Sequence, residues 1–98
     1  MAISIPVFTS QLEKARDAAD AANLRAQYAE MASAAIGAEA DKTSDGVVIT
    51  GKTAGFGDIK DIAGVDATTD SVLKNAVSGQ TITVTVSATD GSVTFATK

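Results

Sequence analysis

The sequence predicts an α+β fold in which a long N-terminal α-helix packs on a small antiparallel β-sheet. Helix-forming residues dominate up to residue 40, Val, Ile, Thr and Gly dominate after residue 46, and a strictly alternating segment near the C-terminus precedes an Asp-Gly pair. A chain of 98 residues with 45% hydrophobic content supports one core. We therefore expect a single domain, with a helical part at residues 1–40 and a β-rich head at residues 41–98.

The first predicted element is a helix from Val7 to about Gly37. Twelve alanines lie in residues 15–40, and no proline or glycine follows Pro6 until Gly37. Pro6 suits the first turn of a helix, where its missing N–H group is not needed, and Ser4 is a candidate N-cap. Gly37 and the polar residues after it indicate where the helix ends.

The head is predicted to end in a β-hairpin that spans residues 81–97. Residues 81–88 alternate strictly between apolar and polar side chains, which is typical of a half-buried strand. Asp90 and Gly91 fit the two positive-φ positions of a type I′ turn. This turn fixes a register that pairs Ala88 with Val93, Val86 with Phe95, and Val84 with Thr97.

Shorter elements are expected elsewhere in the head. Residues 47–50 are predicted to form a third strand, and residues 69–77 a short helix that is capped by Thr69 or Asp70. The segment between them, Lys52 to Asp66, contains three glycines and predicts no regular structure.

The stretch GVVITGKT, Gly46 to Thr53, matches the pattern of a phosphate-binding P-loop letter for letter. Its four variable positions are all β-branched, which favours an extended strand over the positive φ angles of such a loop. The sequence AGFG after Thr53 is too rich in glycine to begin a stable helix. We predict a strand followed by a Gly-Lys turn, without nucleotide binding, and keep a nucleotide-binding enzyme as an alternative.

The composition argues against several other classes of function. The chain has no cysteine and no histidine, which removes thiol chemistry, most zinc sites and the commonest general base. A net charge of −4 with scattered basic residues argues against direct binding of nucleic acid. Asp58, Asp61 and Asp66 lack the spacing of a calcium loop. We therefore expect no catalytic residue, no metal and no cofactor.

Two apolar faces are predicted on the long helix. The small-residue stripe contains Ile5, Phe8, Leu12, Ala15, Ala19, Ala22, Ala26, Ala29, Ser33 and Ile36. The bulky stripe lies about 200° away at 100° per residue and contains Ala21, Leu24, Tyr28, Met31 and Ala35. The bulky stripe is suited to cover the hairpin, and the small-residue stripe to contact another helix. A simple amphipathic helix, whose alanines reflect helix propensity alone, is the alternative.

The predicted helix is also too long for its head. About 32 residues give a length near 48 Å, against a diameter of roughly 34 Å for a compact domain of this size. We expect the N-terminal end to extend beyond the head, where its large apolar side chains would need a partner.

Residues 3–36, ISIPVFTSQLEKARDAADAANLRAQYAEMASAAI, resemble the helix of type IV pilins, particularly those of Gram-positive bacteria, just after the membrane-spanning segment. The most specific parts are IPVF, Ile5 to Phe8, and QLEKARDAADAANLR, Gln11 to Arg25. The resemblance covers about the first third of the chain. It implies a prepilin that is held in the membrane by its first helix and then assembled into a surface filament, the pilus. Met1 directly before AISIP suggests a truncated form that lacks most of that span.

The resemblance also implies partners and residue roles. The partners would be copies of the same chain, other pilins and the assembly machinery, with the head facing outward. Pro6 would mark a bend or a locally unwound point of the helix, where the membrane span meets the domain. The subunit contacts would be made by Ile5, Phe8, Leu12, Ala15, Ala19 and Ala22, and the head's core by Leu24, Tyr28, Met31, Val84, Val86 and Phe95.

Two other functions remain open from the sequence. One is a minor pilin or pseudopilin of a DNA-uptake or secretion apparatus, which would share the same fold. The other is an adhesive or ligand-binding module that uses the loop at residues 52–66. The sequence does not separate motility, adhesion and uptake.

Overall fold

A computed structural model describes the backbone of residues 4–98 and the side chains of residues 11–98. The chain forms an α+β fold with one long helix and small antiparallel sheets, in agreement with the predicted class. In chain order the elements are α1 (Ser4–Ala35), β1 (Lys42–Thr43), β2 (Val47–Val48), β3 (Asp61–Ile62), β4 (Val65–Asp66), a 3₁₀ helix (Leu73–Asn75), β5 (Thr81–Val86) and β6 (Val93–Thr97).

Helix α1 begins three residues before the predicted start and ends at Ala35. Ser4 is its first helical residue rather than its cap, and Pro6 lies in the first turn. Gly37 has a φ of 76°, and the N–H group of Ala38 donates to the carbonyl oxygen of Ala35 over 3.1 Å. This left-handed glycine ends the helix as predicted. No residue of α1 is unwound around Pro6, and a bend relative to a preceding segment lies outside the described residues.

The larger sheet is organised around β5. Strand β6 pairs with β5 along one edge, and β1 and β2 pair with successive halves of the other edge, all antiparallel. The third strand is therefore shorter than the predicted residues 47–50, and β1 was not predicted. Polar side chains and a length of two residues give β1 no alternating pattern that could reveal it.

A β-bulge separates β1 from β2. The register on β5 advances by one residue between them. Ser44 sits in the bulge, where its N–H group donates to the carbonyl oxygen of Val84 over 2.8 Å and its hydroxyl accepts the N–H group of Val84 over 3.0 Å. Gly46 closes the bulge with a φ of 113°, and a Cβ atom there would collide with the side chain of Thr81. Only glycine fits this position without strain.

The C-terminal hairpin is present, but its predicted register is wrong by two residues. Val93 lies opposite Val86, and Phe95 lies opposite Val84. A shift of two residues keeps every side chain on its predicted face, because side chains alternate with a period of two. Val84, Val86 and Phe95 are accordingly buried, as expected.

The register error comes from the turn. Gly91 has a φ of 75°, whereas Asp90 does not adopt a positive φ, so the predicted type I′ turn does not form. The chain instead makes a wider loop in which the N–H group of Gly91 donates to the carbonyl oxygen of Ser87 over 3.0 Å. The carboxylate of Asp90 accepts the N–H group of Ser92 over 2.9 Å. An Asx-type contact of this kind competes with the two-residue turn.

The predicted helix at residues 69–77 is reduced to the 3₁₀ helix. Its N-cap is Val72, which makes no side-chain cap bond, so neither Thr69 nor Asp70 is the cap residue. The carboxylate of Asp70 still accepts the N–H groups of Val72 and Leu73 over 3.1 and 3.0 Å, just ahead of the helix. The segment after Lys52, for which no regular structure was predicted, contains the hairpin of β3 and β4.

The core lies between α1 and the sheet. The bulky stripe enters it as predicted: Ala21, Leu24 and Ala35 are buried, and Tyr28 and Met31 pack partly buried against them. The part of the chain between β1 and β5 supplies further core residues that were not predicted, namely Val47, Ile49, Phe56, Ile62, Ala67, Leu73 and Ala76. Glycine-rich loops give no periodic signal, so their apolar residues were not recognised as core.

The molecule is elongated along the helix. Its principal extents are 58 × 22 × 19 Å. Within the described residues, no helix is both long enough and apolar enough to cross a membrane.

Candidate functional site

The small-residue stripe of α1 is exposed over its whole described length. Its exposed members are Leu12, Ala15, Ala19, Ala22, Ala26, Ala29, Ser33 and, just after the helix, Ile36. The two large side chains in this set are 40% exposed at Leu12 and 83% exposed at Ile36. The side chains of Ile5 and Phe8, which belong to the predicted assembly surface, lie outside the described residues.

The exposure of this stripe follows from the architecture. The head covers α1 on one side, where the bulky stripe packs against β5 and its neighbours. The stripe lies on the opposite side of the same helix and carries no ionisable residue between Leu12 and Ser33. Alanine side chains allow another helix to approach to the short end of the usual range of about 8–10 Å between helix axes.

A row of carboxylates extends the buried face of α1 towards its N-terminus. Glu13, Asp17 and Asp20 are spaced by four and three residues, so they lie on the same side of the helix as Leu24. Their carboxylates face the loop that follows β2, which contains the GKT of the P-loop-like stretch. Sequence reasoning did not identify this row.

Asp20 is the best satisfied member of the row. It is 1% exposed, and its carboxylate accepts the N–H group of Gly51 over 3.0 Å. The carboxylate also accepts the N–H group of Thr50 over 3.1 Å and the hydroxyl of Thr50 over 2.8 Å. These bonds to a buried negative charge tie the loop to the helix.

Glu13 holds the next part of the loop. Its carboxylate accepts the N–H groups of Lys52 and Thr53, each over 3.1 Å. The hydrogen bond from Thr53, then that from Lys52, lowers the pKa of Glu13 below its ordinary value, and Arg16 adds a weaker effect from 3.6 Å.

Four consecutive N–H groups, from Thr50 to Thr53, thus point at carboxylates of the same chain. A P-loop would direct such groups at phosphates and continue into a helix. Here no helix begins at Lys52. The absence of nucleotide binding stays a prediction, and this geometry supports it.

Asp17 differs from its two neighbours because it receives no hydrogen bond and no ion pair from the residues that the structure describes. It is 7% exposed. Its two carboxylate oxygens lie 2.8 and 3.1 Å from where Cβ atoms would stand at Gly51 and Gly57, so a side chain at either position would push the carboxylate aside. Burial, and then the nearby charges of Glu13 and Asp20, raise the pKa of Asp17 from 3.8 to about 6.

A groove of about 450 Å³ opens beside Asp17, between α1 and the loop of residues 53–59. Apolar atoms of Ala18, Phe56 and Ile59 line it, together with the charged residues Glu13, Lys14 and Asp58.

The residues singled out in the sequence belong to two regions. One is the exposed stripe of α1, and the other is the segment that carries Asp58, Asp61 and Asp66. Leu12, Ala15, Ala19 and Ala22 share one exposed face, and their contacts with another subunit stay a prediction. Asp58, Asp61 and Asp66 form no acidic cluster suited to a metal, and no such cluster of three exists among residues 11–98.

Comparison with known proteins identifies no relative of this chain. No protein-family model, no curated protein and no solved structure matches the chain.

Proposed function

We propose that this chain is a structural subunit of a type IV pilus-like surface filament and that it polymerises through α1, without catalysis. The observation that carries the proposal is the exposed small-residue stripe from Leu12 to Ser33. The resemblance of residues 3–36 to pilin helices supports the same function.

The stripe has the properties that a helix–helix contact requires. It is continuous over about six turns, it is uncharged, and its side chains are small enough for close approach of a second helix. Leu12 gives this surface one large apolar side chain to bury, and Ile36 gives it another at the opposite end. Burying a side chain of this size contributes about 1.5–3 kcal/mol when it is fully exposed beforehand.

The shape of the molecule is consistent with the same arrangement. The molecule is 58 Å long. Because the head covers α1 on one side, the other side of the helix can pack against the helices of further copies. Helices would then bundle inside the filament while the heads form its outer surface, and the loop at residues 52–66 would be carried with the head.

The proposal is tested with surface filaments sheared from cells that produce the protein. We expect the chain to be a component of these filaments and Ala19→Glu to reduce its incorporation at least about tenfold, because a carboxylate buried between helices costs several kcal/mol. Thr94→Glu places the same charge at an exposed position of β6 and is the control. Circular dichroism of both variants checks that the fold is kept.

Two results would contradict the proposal: absence of the chain from the filaments, or normal incorporation of Ala19→Glu. The abundance of the chain separates the two forms of the proposal, because a major pilin dominates the filament mass and a minor pilin or pseudopilin does not.

A further inference from the structure

The carboxylate of Asp17 is not explained by the fold. Asp20 and Glu13 hold the loop after β2 through hydrogen bonds. Asp17 lies between them and is 7% exposed, and its carboxylate has no partner among the described residues but keeps contact with solvent at the groove. A carboxylate on a mostly buried side chain that has neither a protein hydrogen bond nor a counter-ion loses part of its hydration without compensation, which destabilises a protein. Asparagine, serine or alanine at this position would remove that cost, which points to a use for the charge.

The surroundings of Asp17 restrict what can bind there. The groove beside it has apolar walls at Phe56 and Ile59, and the charges of Glu13 and Asp58 give it a negative potential that Lys14 reduces in part. A divalent cation requires several oxygen ligands, and no suitable group of three acidic residues exists in the described part of the chain. One unpartnered carboxylate beside apolar walls instead suits a single positive charge on a hydrocarbon stem.

We propose that this groove binds a primary alkylammonium group, with Asp17 as its ion-pair partner and with Phe56 and Ile59 in contact with the alkyl stem. A lysine side chain of a polypeptide and a free amine share this chemistry. The site lies on the buried side of α1, away from the small-residue stripe, so it does not depend on the filament function.

The test is a ¹H–¹⁵N NMR titration of the purified chain with n-butylammonium at pH 7.5. We expect saturable shifts in the amides of Ala18, Gly55 and Gly57, with a Kd on the order of 1–10 mM for one ion pair with a short stem. The uncharged ligand n-butanol has the same stem and should bind at least about tenfold more weakly.

Asp17→Asn should weaken the binding of n-butylammonium at least about tenfold. Asp45→Asn removes an exposed carboxylate that does not line the groove and should leave the binding unchanged. A second readout uses the unmodified chain: the affinity should fall as the pH is lowered below 6, where Asp17 takes up a proton while Glu13 remains charged until lower pH.

A second arm separates the two sources of the ligand. Nα-acetyl-lysine N-methylamide binding more tightly than n-butylammonium would identify a polypeptide as the source, and equal or weaker binding would identify a free amine. The proposal is overturned if n-butylammonium gives no saturable shifts at the groove, if n-butanol binds as well, or if Asp17→Asn binds with unchanged affinity.

Discussion

Replacing Asp20 with alanine is expected to lower the free energy of unfolding by about 3 kcal/mol. The carboxylate is 1% exposed and accepts three donors from the loop after β2. Hydrogen bonds to a charged group contribute about 1.5–3 kcal/mol each, and a buried N–H group left unpaired costs about 1–3 kcal/mol. Gly51 is itself buried, so water cannot fully replace the lost acceptor at its N–H group.

The loss is smaller than the sum of the separate bonds for two reasons. Thr50 is exposed and its donors can turn to water. In the native chain the charge of Asp20 repels that of Asp17 and raises the pKa of Asp17. Replacing Asp20 with alanine removes this unfavourable repulsion. A net value of about 3 kcal/mol is still a large fraction of the about 5–15 kcal/mol that stabilises a typical domain.

Urea denaturation followed by circular dichroism measures this effect. Glu30→Ala is the matched control, because Glu30 is an exposed carboxylate on the same helix; we expect its effect to stay within about 0.5 kcal/mol. Asp20→Asn keeps one oxygen acceptor and should fall between the two. Equal stability of Asp20→Ala and Glu30→Ala would show that the carboxylate does not hold the loop.

Replacing Asp17 with asparagine is expected to have the opposite effect and to stabilise the protein at neutral pH. The rise of the pKa of Asp17 from 3.8 to about 6 means that the folded chain disfavours the charged form. At about 1.4 kcal/mol for each unit of pKa, the upper limit of this destabilisation is about 3 kcal/mol. We expect a gain of about 1–2 kcal/mol, because water in the open groove screens the charge.

The same group sets a characteristic dependence of stability on pH. A carboxyl whose pKa is raised by folding contributes stability that is fully present below its unfolded pKa of 3.8 and is lost as the pH rises through about 6. Hydrogen bonds, chiefly from Thr53, Thr68 and Ser92, lower the pKa values of Glu13, Asp66 and Asp90. Their contributions are present above their unfolded pKa values and are lost as the pH falls through their folded values. Stability should therefore rise from pH 7 to pH 5 and fall again in stronger acid.

Urea midpoints of the unmodified chain and of Asp17→Asn, measured from pH 4 to pH 8, test both expectations. The variant should be the more stable protein at pH 7 and should lose the rise between pH 7 and pH 5. A variant that is less stable at pH 7, or one that keeps the full rise, would contradict the described surroundings of Asp17.

The sequence predicted the parts of the fold that repeat with a regular period. The two faces of α1 and the inward side of β5 rest on side-chain spacing alone, and the structure confirms the burial of Leu24 and Val84 on those faces. The register of the hairpin depended on the conformation of one residue, Asp90, and was predicted incorrectly. Strands of two residues are too short to show a period, so β1, β3 and β4 were not predicted.

The carboxylate row was missed for a different reason. Glu13, Asp17 and Asp20 continue the bulky stripe at its own spacing of three and four residues, but polar side chains at such positions are usually exposed. The signal that could have revealed them is the combination of this spacing with a loop rich in N–H donors, residues 50–53. The sequence of this loop matches a P-loop, but its N–H groups donate to carboxylates of the same chain.

The central claim, that the small-residue stripe is buried between subunits of a filament, is tested most directly by thiol labelling. The chain contains no cysteine, so Ala19→Cys and Ala22→Cys each introduce one thiol on the stripe, and Thr94→Cys introduces one on β6. In sheared filaments we expect maleimide to label the two stripe thiols at least about tenfold more slowly than in dispersed subunits. The thiol of Thr94→Cys should be labelled at the same rate in filaments and in dispersed subunits. Equal labelling of the stripe thiols in filaments and in dispersed subunits would contradict the claim.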